Sequence, residues 1–67
     1  MNFKSLETFV WCARLRSFSA AALKLNSTQP TVSMRIKNLE STLGIELFDR
    51  THRANKLTPV GRELLQY

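Results

Sequence analysis

The segment from Ser17 to Leu43 constrains the fold of this chain more than any other part of its sequence. It contains a short helical apolar pattern, a polar break and a longer amphipathic pattern. The break and the turn after it carry small polar side chains where a core contact would need apolar groups: Asn26, Ser27, Thr28, Gln29, Thr31 and Ser33. Small donors and acceptors at a helix tip suit contact with base edges in the major groove of DNA. In a basic chain, this pattern is typical of a helix-turn-helix.

Length and charge limit the remaining choices. A chain of 67 residues makes one small domain, without room for a large cofactor pocket or a buried catalytic cleft. Its formal net charge of +5 favours a polyanionic partner such as nucleic acid, although many small basic domains are merely soluble. The chain begins with no signal peptide and has no apolar run near the roughly 20 residues that span a bilayer. We therefore expect a cytoplasmic protein without membrane contact.

The residue types that usually carry catalysis are scattered. Cys12 is the only cysteine, so an internal disulfide is excluded, and no Cys/His cluster could hold zinc. Cys12 lies on the apolar side of its helix, which favours a buried thiol over a nucleophile. Trp11 adjoins the same side and is better explained by core or interface packing than by base stacking. His52 lacks partners for a metal site or a general base. We expect no enzyme activity and no cofactor in this domain.

The first two helices follow from apolar spacing. Helix one extends from about Phe3 to Leu15. Helix two is short, and either Ser17 or Ser19 is its predicted N-cap. Its apolar face consists of Phe18, Ala21, Ala22 and Leu25. The paired alanines would let another helix cross closely.

Helix three has a start signal and a stop signal. Ser27 or Thr28 is the predicted N-cap, Pro30 occupies the first turn, and Gly44 ends the helix. The core-facing stripe consists of Val32, Ile36, Leu39 and Leu43, whereas Pro30, Met34, Lys37, Asn38 and Ser41 point away from it. The outer surface of helix three carries no acidic residue before Glu40. We expect Glu40 either to pair with a nearby cation or to face solvent.

After Gly44 the apolar pattern changes to alternation. The segments 47–50 and 55–58 are predicted to form the two strands of a hairpin with a basic, mostly polar tip. Thr58 and Pro59 then repeat the start signal of a helix. The apolar side of this fourth helix is predicted to consist of Val60 and Leu64, with Tyr67 as a further candidate. We expect the helix to continue in a longer protein.

These elements together resemble the LysR-type transcriptional regulators. The matching residues cover nearly the whole chain: Leu6 and Phe9; Ser17, Phe18 and Ser19 with Ala21, Ala22 and Leu25; Gln29 and Pro30 with Val32 and Ser33; Ile36, Leu39 and Glu40; Leu43 and Gly44; Leu47, Phe48, Arg50 and Arg53; and Leu57, Thr58 and Gly61. Three positions depart from the usual pattern: Arg16 where glycine is common, Ser27 where an aliphatic residue is common, and Met34 where arginine is common.

The resemblance implies a winged helix-turn-helix, mainly helical with a small β-hairpin wing, over residues 1–58. It implies that residues 59–67 begin a linker helix that joins two subunits, with tetramers in the full-length protein. In the family an effector-binding domain follows, and a small-molecule co-inducer would bind there. The implied partner is double-stranded DNA, read as an inverted repeat.

The site residues divide into two predicted groups. Base contacts are predicted for Gln29, Pro30, Thr31, Ser33, Met34 and Arg53. Contacts with the DNA backbone are predicted for Ser17, Ser19, Lys24, Thr28, Arg35, Lys37, Arg50 and Lys56. Gln29 could read adenine bidentately or could cap the helix, and Pro30 could touch a thymine methyl group or only start the helix. Arg53 could enter a narrow minor groove or remain a solvated loop arginine.

The hypothesis from sequence is therefore sequence-specific DNA binding, with helix three in the major groove and the wing in the adjacent minor groove. The alternatives are a winged-helix module for RNA or protein interaction and, with less support, a small enzyme.

Overall fold

The computed structural model describes residues 2–49 and 56–66. In chain order the elements are α1 (Phe3–Leu15), α2 (Phe18–Lys24), α3 (Gln29–Leu43), β1 (Phe48–Asp49), β2 (Lys56–Leu57) and α4 (Pro59–Gln66). The strands pair antiparallel, with Phe48 opposite Leu57. The predicted mainly helical fold with a small hairpin is confirmed. Within the described ranges, no helix is both long enough and apolar enough to cross a membrane.

Side-chain caps start α2 and α3. The Ser17 Oγ accepts a hydrogen bond from the Ala20 N–H at 3.1 Å, and the Thr28 Oγ1 accepts one from the Thr31 N–H at 3.3 Å. Each cap satisfies a backbone donor that the first turn of a helix leaves free. Of the predicted pairs of candidates, Ser17 and Thr28 are therefore the caps.

The turn between α2 and α3 depends on one residue in the left-handed region. Asn26 has a φ of 54°, which asparagine tolerates better than most residues. The Ser27 N–H donates to the Ala22 carbonyl at 2.8 Å, and the Asn26 N–H donates to the Leu23 carbonyl at 3.3 Å. This pair of bonds is a Schellman motif, so the chain leaves α2 with its last carbonyls satisfied.

The core lies where α1, α2 and α3 pack against one another. Its buried apolar residues are Phe9, Cys12, Phe18, Ala21, Ala22, Val32, Ile36, Leu39, Leu47 and Phe48. Phe48 connects the hairpin to this core, because its ring lies edge-on to Phe9 at 5.7 Å and to Phe18 at 5.3 Å between centroids. The base of the hairpin is thus held against two helices.

Glu40 is buried, which corrects the alternative in which it faces solvent. The residue is 8% exposed, and its Oε2 accepts hydrogen bonds from the Leu47 N–H at 2.7 Å and the Phe48 N–H at 3.3 Å. A buried carboxylate is tolerated where backbone donors replace the water it loses. Glu40 therefore links α3 to the start of β1. Between them, Gly44 ends α3 with a φ of 69°, as predicted.

The hairpin joins α4 through Thr58. Its N–H donates to the Leu47 carbonyl at 3.0 Å, and its Oγ1 accepts from the Gly61 N–H at 3.0 Å, which confirms the predicted cap. Within the predicted segments 47–50 and 55–58, the strands are Phe48–Asp49 and Lys56–Leu57, and Arg50 and Asn55 lie outside the described residues. Leu47 precedes β1, and its N–H donates to Glu40.

The apolar side of α4 differs from the prediction. Leu64 and Leu65 pack against the core, whereas Val60 is 43% exposed. The predicted contribution of Tyr67 lies outside the described residues.

Candidate nucleic-acid interface

Most of the predicted base-contacting side chains reach the surface in the first two turns of α3. Gln29, Pro30 and Met34 are exposed, and Thr31 and Ser33 are half-buried beside them. The core-facing side of the helix holds Val32, Ile36 and Leu39, and the helical period directs Pro30 and Met34 away from it. Gln29, Thr31 and Ser33 lie on the flanks of this stripe, with Gln29 as the first residue of the helix.

The first turn of α3 is organised by hydrogen bonds that leave Gln29 free of a capping role. The Thr28 hydroxyl makes the cap and also donates to the Thr31 Oγ1 at 3.0 Å. The Gln29 Oε1 instead accepts a hydrogen bond from the Ser19 hydroxyl at 2.9 Å. The alternative in which Gln29 caps the helix is therefore wrong.

The α2 residues predicted to contact the DNA backbone have intramolecular partners. Ser17 is the N-cap of α2, and Ser19 bonds to Gln29. The ammonium group of Lys24 lies 4.7 Å from the centroid of the Trp11 ring, in the range of a cation–π contact. Trp11 is half-buried against the core, as predicted, and it holds Lys24 at the end of α2.

The cations of the candidate surface are only partly described. Lys37 on α3 and Lys56 on β2 are exposed, and Arg35 is half-buried. The predicted wing contacts Arg50 and Arg53 lie outside the described residues, as does the tip between them.

Positive charge dominates the surface of the helix-turn-helix formed by α2 and α3. From Phe18 to Gly44 the only acidic residue is Glu40, and its carboxylate is buried in hydrogen bonds to the backbone. Lys24, Arg35 and Lys37 are in the same segment. The solvent-facing side of α2 and α3 therefore carries cations without an exposed acid, which favours a polyanionic ligand.

The described residues offer little for catalysis. Cys12 is fully buried, and burial raises the pKa of its thiol from 9.0 to about 12, so it stays neutral near pH 7. No group of three His, Cys, Asp or Glu side chains within residues 2–49 and 56–66 could hold a metal ion.

Sequence reasoning missed two contacts of this site. Glu40 follows Ile36 by four positions, so the helical period already placed it beside the buried stripe. The bond between Ser19 and Gln29 joins residues ten positions apart on different helices, and no local pattern reports it.

Known proteins resemble the chain over nearly its whole length. A family model described as "Bacterial regulatory helix-turn-helix protein, lysR family" matches residues 3–62. The HTH-type transcriptional activator AllS of Klebsiella pneumoniae is 52% identical over 62 residues, which are 92% of this chain and 23% of AllS. The chain thus spans about a quarter of that relative's length.

Two solved DNA complexes share the fold. The BenM_DBD/benA site 1 DNA complex superposes with a TM-score of 0.95 at 43% identity, covering 100% of this chain and 75% of that one. The CbnR_DBD–DNA complex gives a TM-score of 0.92 at 35% identity, covering 98% of this chain and 76% of that one. With the family model matching most of its residues, the chain belongs to the lysR family of bacterial regulatory helix-turn-helix proteins.

Proposed function

We propose that this chain binds double-stranded DNA sequence-specifically, as the DNA-binding domain of a LysR-type transcriptional regulator. In this proposal α3 enters the major groove and the hairpin approaches the adjacent minor groove. The observation that carries it is the outer surface of α3, where exposed donors and acceptors adjoin cations and no acid is exposed. The similarity to two DNA-binding domains in complex with DNA supports the same conclusion.

The contacts divide by chemistry. Gln29, Pro30, Thr31, Ser33 and Met34 face the base edges, and Arg53 enters the minor groove. The DNA backbone is contacted by Ser17, Lys24, Thr28, Arg35, Lys37, Arg50 and Lys56. Ser19, whose hydroxyl donates to Gln29, lies beside this surface without a phosphate contact. Phosphate contacts of this kind supply affinity without sequence preference, whereas the base edges supply the preference.

The wider roles follow from family membership. We propose that residues 1–58 form the DNA-binding unit and that residues 59–67 begin the helix through which two copies pair. The partly exposed Val60 on α4 supports that pairing. In the full-length protein, tetramers would bind paired sites and a co-inducer would act from a separate domain. The chain would work in the cytoplasm by binding alone, without catalysis and without a cofactor of its own.

A salt titration tests the proposal directly. Duplexes selected from a random pool are bound at several salt concentrations, with a double-stranded RNA of equal length as the control. We expect the logarithm of the affinity for DNA to fall linearly with the logarithm of salt, with a slope of about −0.9 for each phosphate neutralised. Binding that does not respond to salt, or equal binding of the RNA, would contradict DNA recognition.

A further inference from the structure

The two helices of the helix-turn-helix are joined on their exposed side by one side-chain pair. Ser19 is the second residue of α2 and Gln29 is the first residue of α3. Both side chains are exposed, and the Ser19 hydroxyl donates to the Gln29 Oε1 at 2.9 Å. Core packing does not force this contact, so its effect is on how the Gln29 amide is presented.

The bond distinguishes the two ends of that amide. The carbonyl oxygen is the acceptor and the nitrogen is a donor only. A glutamine amide reads adenine by donating to N7 and accepting from the N6 amine. The Oε1 atom has two lone pairs, so the bond to Ser19 leaves one of them open to a base. The bond therefore fixes the direction from which the Gln29 amide can approach a base edge.

We propose that Ser19 is a positioning residue that fixes the orientation in which the Gln29 amide is presented to the major groove, so that the base preference at the position read by Gln29 depends on the Ser19 hydroxyl. This inference rests on the proposed function, because it requires that Gln29 face the DNA. It gives Ser19 an effect on sequence preference, although the residue itself touches no base.

The backbone on both sides of the pair is held in place. Ala21 and Ala22 bury α2 against the other helices, and Val32 does the same for the first turns of α3. The Thr28 cap fixes the backbone where Gln29 begins. The distance between the two side chains is therefore set by the fold, and the amide orientation depends on the Ser19 hydroxyl.

A phosphate contact by Ser19 makes the opposite prediction. A phosphate oxygen only accepts hydrogen bonds, so it would need the same hydroxyl proton that Ser19 gives to Gln29. A phosphate contact changes affinity for every duplex equally. A positioning role changes the preference at one base pair and leaves the affinity for random DNA unchanged.

The test is a double-mutant cycle read by base preference. The variants are Ser19→Ala, Gln29→Ala and the pair of changes together, with the exposed Ser41→Ala as the matched control. Bound duplexes are sequenced after selection from a random pool. All four bases are then compared at the position whose preference Gln29→Ala removes. Ser19→Thr, which keeps the hydroxyl, serves as the rescue variant.

We expect Gln29→Ala to reduce discrimination at one position by about 5- to 150-fold, the range of a lost base contact. Ser19→Ala should reduce the discrimination at that same position, and it should have no further effect when Gln29 is already alanine. Ser19→Thr and Ser41→Ala should keep the original preference.

Three results would overturn the inference while DNA binding survives: equal weakening of all duplexes by Ser19→Ala, an unchanged preference in that variant, or no position that responds to Gln29→Ala. Failure of the unsubstituted chain to bind any duplex would overturn the proposed function and this inference with it.

Discussion

Arg16 adopts a backbone conformation that its side chain disfavours. It ends α1 with φ of 55° and ψ of 32°, in the left-handed region. A residue with a Cβ loses roughly 1–2 kcal/mol there, and glycine loses almost none. Arg16 is therefore a site of local backbone strain, which a glycine at this position would relieve.

Arg16→Gly should stabilise the fold. Relief of the left-handed strain, reduced by the greater freedom of glycine in the unfolded chain, should add about 0.5–1 kcal/mol to the free energy of unfolding. Urea denaturation followed by circular dichroism measures it. Arg16→Ala is the matched control, because it removes the same charge and keeps the Cβ. An equal gain in both variants would attribute the effect to charge.

The structural roles of individual residues differ in how well the sequence predicts them. The caps Ser17 and Thr28 could be predicted to within one alternative each, because a capping side chain acts on its own first turn. The left-handed φ of Arg16 and the burial of Glu40 could not be predicted from residue type. Arginine usually avoids that conformation and glutamate usually avoids burial, so tertiary contacts decide both.

At the scale of elements, the approach of α4 to the hairpin depends on Gly61. A Cβ at Gly61 would lie 2.4 Å from the Leu47 carbonyl oxygen and 3.1 Å from the Leu57 Cδ2. The first distance is far below van der Waals contact and involves backbone. Only glycine lets α4 start this close to the backbone of Leu47, the residue just before β1.

Gly61→Ala should therefore destabilise the fold by about 2 kcal/mol or more, since the backbone must move to remove the overlap. Gly44→Ala is the informative comparison, because no atom lies within 4 Å of its added Cβ and its penalty comes from a φ of +69° alone. We expect that change to cost about 1 kcal/mol. Thermal unfolding of both variants measures the difference. A smaller loss for Gly61→Ala than for Gly44→Ala would contradict the steric explanation.

The helices could be predicted more closely than the hairpin. The structure gives α1 the predicted range Phe3–Leu15, because its capping residues lie where the apolar helical period begins and ends. The described part of each hairpin strand is two residues long, and its position depends on the Glu40 hydrogen bonds and on the burial of Phe48 in the core. Those contacts cross between elements, so alternation along one strand does not report them.

At the scale of the whole molecule, charge is distributed unevenly. All five acids are Glu7, Glu40, Glu46, Asp49 and Glu63, and the single one within the helix-turn-helix is buried. The helical period of the sequence is enough to predict which residues of α3 face outward and where Lys24, Arg35 and Lys37 lie. The partner of Gln29 could not be predicted, because it depends on how two helices pack.

Lys37→Ala should weaken binding to every duplex alike and reduce the magnitude of the salt slope by about 1, as expected when one phosphate contact is lost. Lys4→Ala is the charge-matched control, because Lys4 is exposed on α1, outside the surface of α2 and α3. Fluorescence anisotropy with selected and random duplexes measures both. A change of sequence preference in Lys37→Ala would mean that this lysine contacts a base.

The bond from Glu40 to the start of β1 has a consequence for avidity. In the proposed complex, α3 and the hairpin are two attachment points whose spacing is held by this carboxylate and by Phe48. Once α3 is seated, the hairpin binds as an intramolecular partner at high effective concentration. The buried Glu40 carboxylate therefore increases the combined affinity of two weak contacts by fixing the distance between them.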